Sequence, residues 1–190
     1  MCLGPGAGHT APMNDRTLSK RLSYLLRHAP HEAGLTLAPG GWVPLAPLLA
    51  CLGVTRADVQ RVVATNDKAR FSLRGDQIRA NQGHSVPVDL ELQPLPPPGV
   101  LYHGTHPGAL AAIRQQGLTP RGRHHVHLSA DPETAARVGA RRGQPVVLTV
   151  RAGAMHGAGH FFYRSENGVW LADAVPPEFL VQSSAYTGLP

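Results

Sequence analysis

The hydrophobic pattern of residues 14 to 28 predicts an amphipathic α-helix. Its apolar stripe follows the i, i+4, i+7, i+8 spacing of one buried face and consists of Leu18, Leu22, Leu25 and Leu26. Asn14 or Asp15 can cap this helix, because either side chain accepts a hydrogen bond from a first-turn amide. At about 100° per residue, the opposite face holds Arg16, Lys20 and Arg27. We therefore expect Arg27 to lie outside the core against which the helix packs.

Three further patterns follow in the first half of the chain. The segment GGWVPLAPLLACLG predicts a short extended piece and a helix. TRADVQRVVATND predicts another helix, in which Thr55 and Asp58 form a capping box. RFSLRGDQIRA alternates apolar and polar residues about Gly75 and Asp76, which predicts a β-hairpin whose turn accounts for the Arg-Gly-Asp tripeptide. Three helices followed by a hairpin predict a winged-helix module.

Prolines interrupt every pattern in VPVDLELQPLPPPGV, residues 86 to 100, because proline is excluded from helix interiors and central strands. This segment predicts a linker over residues 88–99 between two lobes, residues 14–87 and residues 100–190. The Gly/Pro-rich start of the chain predicts a disordered tail over residues 1–13.

The second lobe alternates short strands with a few helices. VLYHGT, HVHLS, PVVLTV and NGVWL predict strands. ALAAIRQQG predicts a helix closed by Gly117, and DPETAARVGARRG predicts a helix that ends at Gly143. Short strands separated by few helices indicate an α+β lobe and not a regularly alternating parallel sheet.

Arginine dominates the charge of this 190-residue chain. Its 18 Lys and Arg outnumber its 12 Asp and Glu, which gives a net charge of +6, and only Lys20 and Lys68 are lysines. Guanidinium groups bind phosphate oxygens in pairs, so the bias suits a phosphate-rich partner. A GC-rich genome produces the same excess without a functional reason, and composition alone leaves both explanations open.

Cellular location is predicted from three absences in the sequence. Cys2 and Cys51 are too few for a disulfide framework, and the first fifteen residues lack the features of a secretion signal. No segment approaches the ~20 apolar residues of a membrane helix. We expect a cytoplasmic protein without membrane contact, and whether translation starts at Met1 or Met13 stays open.

Common catalytic motifs are absent: the sequence contains no GxxxxGK[ST], HExxH, GxSxG or CxxC. His125 and His127 of HHVH would share a strand face, but no cysteine or carboxylate stands at ligand spacing, so we expect no metal site. Taken alone, Arg27 and His28 would be cations at the C-terminus of a helix, where the helix dipole stabilises them.

Five motifs change that interpretation: LSKRLSYLLRH, NDKARF, YHGT, RHHVHLS and NGVWL follow one another in this order. Their order and gaps resemble the RNA 2′-phosphotransferase family, enzymes that remove a splice-junction 2′-phosphate from tRNA, and the resemblance runs from Leu18 to Val181. It implies a winged-helix RNA-binding lobe and an ADP-ribosyltransferase-like lobe that binds NAD, with the active site in the cleft between them. It also implies NAD as co-substrate, RNA with an internal 2′-phosphate as partner, and no metal. We expect a monomer, although the sequence leaves the oligomeric state open.

The reaction that the resemblance implies has two chemical events. The RNA 2′-phosphate attacks the ribose carbon of NAD that carries nicotinamide, and the neighbouring ribose hydroxyl then attacks phosphorus to release 2′-hydroxyl RNA and ADP-ribose 1″,2″-cyclic phosphate. The family's cluster of three arginines and one histidine carries over to Arg27, His28, Arg70 and Arg123. The arginines would clamp the phosphate, and His28 would exchange a proton at neutral pH.

The NAD site implied by the resemblance comprises His103, Gly104, Thr105, His127 and Ser129. Gly104 would allow a close backbone approach to NAD. Protein-modifying relatives carry a catalytic Glu where NGVWL offers Val169 or Trp170, and we expect Glu166 to be a surface residue. His124 departs from the family pattern, which commonly has Asn after the arginine, and its effect on nicotinamide contacts stays open.

Two other functions compete with this one. The same site could ADP-ribosylate a terminal phosphate of RNA or DNA and stop, which would leave a stable product carrying ADP-ribose. A winged-helix nucleic-acid-binding regulator whose second lobe senses NAD would bind duplexes without turnover, but it has no need for Arg123 and His28 in their motif positions.

Overall fold

The computed structural model of the chain describes residues 13–66 and 69–182, so the predicted tail over residues 1–12, Cys2 and Lys68 lie outside it. The chain divides into two compact units, unit 1 up to Leu92 and unit 2 from Gln93. The predicted domain bounds and linker stay predictions. Within these ranges, no helix is long and apolar enough to cross a bilayer.

The described residues of unit 1 form three α-helices and one antiparallel sheet. Its elements are α1 (Asp15–Arg27), β1 (Val43–Pro44), α2 (Leu45–Leu52), α3 (Arg56–Ala64), β2 (Phe71–Arg74) and β3 (Gln77–Ala80), with 3₁₀ turns at Pro30–Ala33 and Pro39–Gly41. The strands follow the order β1-β3-β2, and β2 and β3 form the predicted hairpin. All three predicted helices are confirmed.

The leucine stripe of α1 is buried as predicted, in the core of unit 1. Asn14 provides the cap, and its side chain accepts a hydrogen bond of 2.9 Å from the amide of Thr17. The predicted capping box of Thr55 and Asp58 is also present on α3. Met13, the last residue of the predicted tail, packs against this core from the position before the cap, where an apolar side chain reaches the first helical turns.

Up to Gln182, unit 2 forms two small antiparallel sheets and three short helices. Its elements are β4 (Leu101–Thr105), α4 (Leu110–Gln116), β5 (Val126–Leu128), α5 (Pro132–Gly139), β6 (Val146–Val150), α6 (Ala152–Gly157), β7 (Phe162–Arg164), β8 (Trp170–Ala172) and β9 (Leu180–Gln182), with 3₁₀ turns at Pro107–Ala109, Ala140–Arg142 and Pro177–Phe179. The sheets have the orders β4-β6-β9 and β5-β8-β7. This mixed, antiparallel architecture confirms the α+β class.

Two predictions for unit 2 need correction. The α-helix α5 ends at Gly139 and not at Gly143, because glycine has a low helix propensity and the chain tightens there into a 3₁₀ turn. In NGVWL, only Trp170 and Leu171 belong to a strand, β8. The residues before them form a turn, because Gly168 has φ of 78° and its amide donates to the carbonyl of Ser165. The strands β7 and β9 and helix α6 had no clear signal in the sequence.

The two sheets of unit 2 join where β4 meets the end of β5. The amide of Tyr102 donates to the carbonyl of Ser129 at 2.9 Å, and the amide of Ser129 donates back to Tyr102 at 2.8 Å. On β4, a Cβ atom added to Gly104 would lie 1.7 Å from the carbonyl oxygen of Ala135 in α5. A Cβ atom on Gly139 would lie 2.7 Å from the carbonyl oxygen of Thr105. Helix α5 therefore packs directly on the backbone of β4.

Gly104→Ala is expected to destabilise unit 2, because the new methyl group would overlap backbone atoms that cannot rotate away. We expect the free energy of unfolding to fall by about 1–3 kcal/mol, as overpacking substitutions typically do. Denaturant unfolding without NAD measures this. Gly157→Ala is the matched control, since its Cβ would meet nothing within 4 Å. Equal stability of the two variants would contradict the packing role.

Candidate functional site

Arg27 and His28 stand at the C-terminal end of α1. Arg27 is the last helical residue and His28 is the C-cap. Arg27 is half-buried, its Nε and Nη2 atoms are inaccessible to solvent, and its guanidinium carbon lies 6.0 Å from the centre of the Phe71 ring. The expectation that Arg27 lies apart from the core was therefore too simple. It leaves the leucine stripe, but the ring of a core phenylalanine supports its guanidinium plane.

Ser85 orients His28. The imidazole Nδ1 of His28 lies 2.8 Å from Ser85 Oγ, and the amide of Ser85 donates to the carbonyl of Arg27 at 2.9 Å. The second bond satisfies a carbonyl that α1 leaves without a helical partner at its end. Together the two bonds fix the ring of the exposed His28 and direct its Nε2 atom away from Ser85. Sequence reasoning missed Ser85, because 57 positions separate it from His28 and no motif marks it.

Arg70 is held by two asparagines. Its Nη1 atom donates to Asn66 Oδ1 at 3.2 Å, and its carbonyl accepts from the amide of Asn81 at 2.9 Å. The buried Asn81 also donates from Nδ2 to the carbonyl of Ala69 at 2.8 Å and accepts from Ser72 Oγ at 2.8 Å. Ala69 has φ of 39°, a left-handed conformation that non-glycine residues rarely adopt. Asn81 thus holds a strained backbone on both sides of Arg70.

Within unit 1 the structure brings the three predicted residues into one region. Phe71, which supports Arg27, directly follows Arg70 in the chain. Asn66, which contacts Arg70, also donates from Nδ2 to Ser19 Oγ of α1 at 3.2 Å. Two contacts therefore tie α1 to the residues around Arg70: Phe71 at the C-terminal end of the helix, and Asn66 about two turns earlier at Ser19.

In unit 2, His103 of β4 and His127 of β5 stand beside the junction of the two sheets. His103 Nδ1 lies 3.0 Å from the carbonyl oxygen of His127, and a carbonyl only accepts, so Nδ1 carries the proton. Burial is the main cause that lowers the pKa of His103, and the charge of Arg121 lowers it further, against the opposing effect of the His127 carbonyl. The pKa shift favours a neutral ring whose Nε2 atom accepts hydrogen bonds.

Arg123 determines which ring nitrogen of His127 carries the proton, and the result is the opposite of that for His103. Arg123 Nη1 lies 3.2 Å from His127 Nδ1, and a guanidinium only donates, so Nδ1 accepts and the proton of the neutral ring is on Nε2. The array therefore offers one imidazole acceptor on His103, one imidazole donor on His127, and the permanent charge of Arg123. These are groups that fit the hydroxyl, amide and phosphate groups of a dinucleotide.

The remaining predicted cofactor residues lie around this array. Thr105 is buried at the end of β4, and Ser129 is half-buried and pairs through its backbone with Tyr102. Gly104 has a packing role, because α5 occupies the space of its missing side chain. Contacts of these residues with NAD stay predictions.

The two other imidazoles of HHVH lie apart from the array. His125 Nε2 lies 3.6 Å from Asp173 Oδ1, and its ring centre lies 5.5 Å from that of Tyr163. Burial lowers the pKa of His125, while Asp173 opposes the shift. His124 is half-buried, with its ring centre 6.4 Å from that of His125. In the described ranges, no three His, Cys, Asp or Glu side chains converge as metal ligands would. Glu166 is exposed, as predicted.

Comparison with known proteins supports the motif-based resemblance. Residues 13–174 match the family described as "RNA 2'-phosphotransferase, Tpt1 / KptA family". A protein of Streptomyces griseus named "Probable RNA 2'-phosphotransferase" is 57% identical, over 86% of this chain and 94% of that protein. Proteins with the same name from Nostoc punctiforme and Burkholderia lata are 53% and 52% identical, over 86% and 89% of this chain and 94% and 92% of their own lengths.

The imidazole of His103 is expected to titrate below the ordinary histidine value of 6.5, because burial disfavours its charged form. Proton–carbon NMR of the Cε1 group during a pH titration measures this, and His103→Gln identifies the signal. Since the unfolded chain takes up this proton more readily, His103 lowers the stability of the fold as the pH falls below 6.5. Titration at or above 6.5 would contradict the burial of this ring.

Proposed function

Because the chain belongs to the RNA 2′-phosphotransferase family, we propose that it transfers a 2′-phosphate from RNA to NAD. The observation that carries the proposal is the array in unit 2, where Arg123 contacts His127 and His103 contacts the same residue from the neighbouring strand. A phosphate-binding cation thus stands beside two imidazoles with fixed and opposite hydrogen-bonding polarity. Transfer of a phosphate to a dinucleotide needs both kinds of group.

In the proposed reaction, a 2′-phosphate oxygen of the RNA bonds to C1″ of the nicotinamide ribose, and the bond from C1″ to nicotinamide breaks. The 2″-hydroxyl then bonds to phosphorus, and the bond from phosphorus to the RNA 2′-oxygen breaks. The leaving 2′-oxygen takes up the proton that the 2″-hydroxyl loses. The products are 2′-hydroxyl RNA, nicotinamide and ADP-ribose 1″,2″-cyclic phosphate.

Arg27, Arg70 and Arg123 hold the phosphate in this proposal. A 2′-phosphate carries nearly two negative charges, and more negative charge collects on its oxygens while phosphorus is attacked. Guanidinium groups suit this task because they are permanently charged and donate in pairs. The contacts of Arg27 with Phe71, of Arg70 with Asn66 and of Arg123 with His127 hold these groups in place before RNA binds.

His28 is the proton carrier of the second step. A histidine side chain can exchange a proton near neutral pH, so His28 can accept the proton of the 2″-hydroxyl and return it to the RNA 2′-oxygen. Ser85 is a positioning residue, because its contact with Nδ1 orients the ring and leaves the exchange to Nε2. Orientation of this kind keeps a catalytic imidazole within reach of its substrate without a search over rotamers.

His103 and His127 hold NAD in this proposal, with Thr105 and Ser129 nearby. The acceptor atom of His103 suits a ribose hydroxyl, and the donor atom of His127 suits a pyrophosphate or amide oxygen. NAD supplies the electrophilic ribose carbon and the nicotinamide leaving group. We further propose that unit 1 is a winged-helix RNA-binding lobe, which its element order of helix, strand, two helices and hairpin supports, and that unit 2 is an ADP-ribosyltransferase-like lobe.

The proposed activity is tested with an oligoribonucleotide that carries one internal 2′-phosphate, incubated with and without NAD in EDTA. We expect loss of the phosphate only with NAD, together with nicotinamide and ADP-ribose cyclic phosphate, resolved by liquid chromatography and mass spectrometry. An RNA with only a terminal phosphate is the control substrate. Untouched 2′-phosphate at saturating enzyme would refute the proposal, and stable ADP-ribosylation of the terminal phosphate would indicate a different acceptor.

Arg123→Ala is expected to slow turnover by about 10²–10³-fold, the usual cost of losing one donor to a transition state. It also removes the contact that fixes the proton of His127. Single-turnover kinetics with saturating NAD and RNA measures the effect. Arg141→Ala is the matched control, because it removes an exposed arginine of unit 2 outside this array. Wild-type rates in Arg123→Ala would remove this residue from the mechanism.

A further inference from the structure

The solvent side of α1 carries three cations that the proposed mechanism does not use. Arg16, Lys20 and Arg21 are all exposed, and we call them the α1 basic face. Among the described residues, no ion pair or hydrogen bond joins any of the three to a carboxylate. The one acidic residue of α1, Asp15, contacts Arg61 at 3.1 Å instead. The α1 basic face therefore keeps its full positive charge at the surface.

Two other arginines of unit 1, Arg56 and Arg61, are paired with carboxylates. Arg61 of α3 contacts both Asp15 and Asp58, the latter at 2.9 Å, and Arg56 pairs with Asp76 of the hairpin turn. The pairing of Asp58 with Thr55 and then with Arg61 lowers the pKa of its carboxyl to about 2. Of the carboxylates that contact these elements, Asp15, Asp58 and Asp76 pair with arginines of α3, and Glu32 accepts a hydrogen bond of 2.7 Å from Tyr24 of α1. None of these contacts is with the α1 basic face.

This arrangement opposes the stability of the helix. Arg16 lies in the first turn, where the positive end of the helix dipole disfavours a cation. Lys20 stands four residues after Arg16, so two like charges face each other on the helix surface. The helix dipole and the repulsion between neighbouring cations both disfavour this arrangement. An anionic partner explains it, because its negative charge would neutralise these cations on binding.

The α1 basic face leads toward the proposed reaction residues. At about 100° per residue, Arg16, Lys20 and Arg27 lie within about 40° of one another around the helix axis. The rise from Arg16 to Arg27 is about 16 Å, at about 1.5 Å per residue. Near the C-terminal end, Tyr24 is 41% exposed, and its ring centre lies 6.5 Å from that of His28. Arg16 and Lys20 thus lie in line with Arg27. Arg21 lies about 100° from Lys20 around the axis, on the side of Tyr24 and His28.

We propose that the α1 basic face binds the RNA backbone next to the 2′-phosphate, an inference that rests on the proposed function for the identity of the partner. The α1 basic face spans about 7.5 Å along the helix axis, and about 16 Å when Arg27 is included. At the ~3.4 Å spacing of a stacked strand these lengths match about two and about five phosphates. Cations without fixed partners suit sequence-independent phosphate contact, and the exposed Tyr24 ring provides a surface on which a base can stack. The catalytic cluster would select the 2′-phosphate, and the α1 basic face would hold the strand around it.

The test compares wild type with the triple variant Arg16→Gln, Lys20→Gln and Arg21→Gln, which keeps good helix formers. The matched control removes three exposed arginines of unit 2 by Arg114→Gln, Arg137→Gln and Arg141→Gln. One substrate is a trinucleotide with an internal 2′-phosphate, and the other is an RNA of about ten nucleotides that spans the α1 basic face. Circular dichroism establishes that every variant is folded.

Binding of the longer RNA is measured by fluorescence anisotropy without NAD over a range of salt concentrations. We expect the triple variant to lose about two units of the slope of log K against log salt, at about 0.7 per single-strand contact. With NAD, its KM for the longer RNA should rise by about tenfold at low salt, while kcat and the KM for the trinucleotide stay at wild-type values. The control variant should keep the wild-type slope.

An unchanged salt slope in the triple variant, or an equal loss in the control variant, would overturn the inference. Failure of the proposed function gives a different result: in the presence of NAD, wild type would then leave the 2′-phosphate on both RNAs. The salt slopes measured without NAD decide the role of the α1 basic face in that case as well.

Discussion

The close packing of α5 on β4 is the constraint on which the architecture of unit 2 depends. Gly104 and Gly139 remove two side chains from this contact, so the helix and strand meet at backbone distance. Strand β4 pairs with β6 along one edge, and through Tyr102 it bonds to Ser129 at the end of β5. Strand β4 therefore positions His103 and, through the end of β5, His127. It cannot shift without breaking the packing of α5.

The backbone contacts of β4 position the imidazole and guanidinium groups of unit 2 and so determine their hydrogen bonds. His103 reaches the carbonyl of His127 only because β4 and β5 meet at the Tyr102–Ser129 pair, and Arg123 reaches His127 Nδ1 from the preceding loop. The two contacts assign a different protonated nitrogen to each ring. Unit 1 uses the same strategy, since Ser85 and Asn81, which belong to no motif, hold His28 and the backbone around Arg70.

The charges of unit 1 follow two different arrangements. Around α3 and the hairpin they are balanced, as in the contacts of Arg61 with Asp15 and Asp58, and they contribute to the surface of a stable unit. Along the α1 basic face they are unbalanced, although the leucines on the other side of the same helix anchor it firmly. The buried stripe can hold α1 in place while its outer side serves a partner.

The sequence by itself determined the helices with strong periodicity, the hairpin, the α+β class and the family, because these depend on spacing that is visible along the chain. The spacing of the leucines placed α1, and the capping box of Thr55 and Asp58 placed α3. Ordered motifs were enough to select Arg27, His28, Arg70 and Arg123 as candidates, and their roles in the reaction stay predictions.

Only the tertiary structure decided what surrounds those candidates. It revealed Ser85 beside His28, Phe71 beneath Arg27, Asn81 behind Arg70 and α5 in the space beside Gly104. It also revealed β7, β9 and α6, whose short segments carry too little periodic signal to be recognised. The contacts around the candidates share one physical reason. A contact between residues far apart in the chain leaves no pattern in the sequence around either residue, so local spacing cannot predict it.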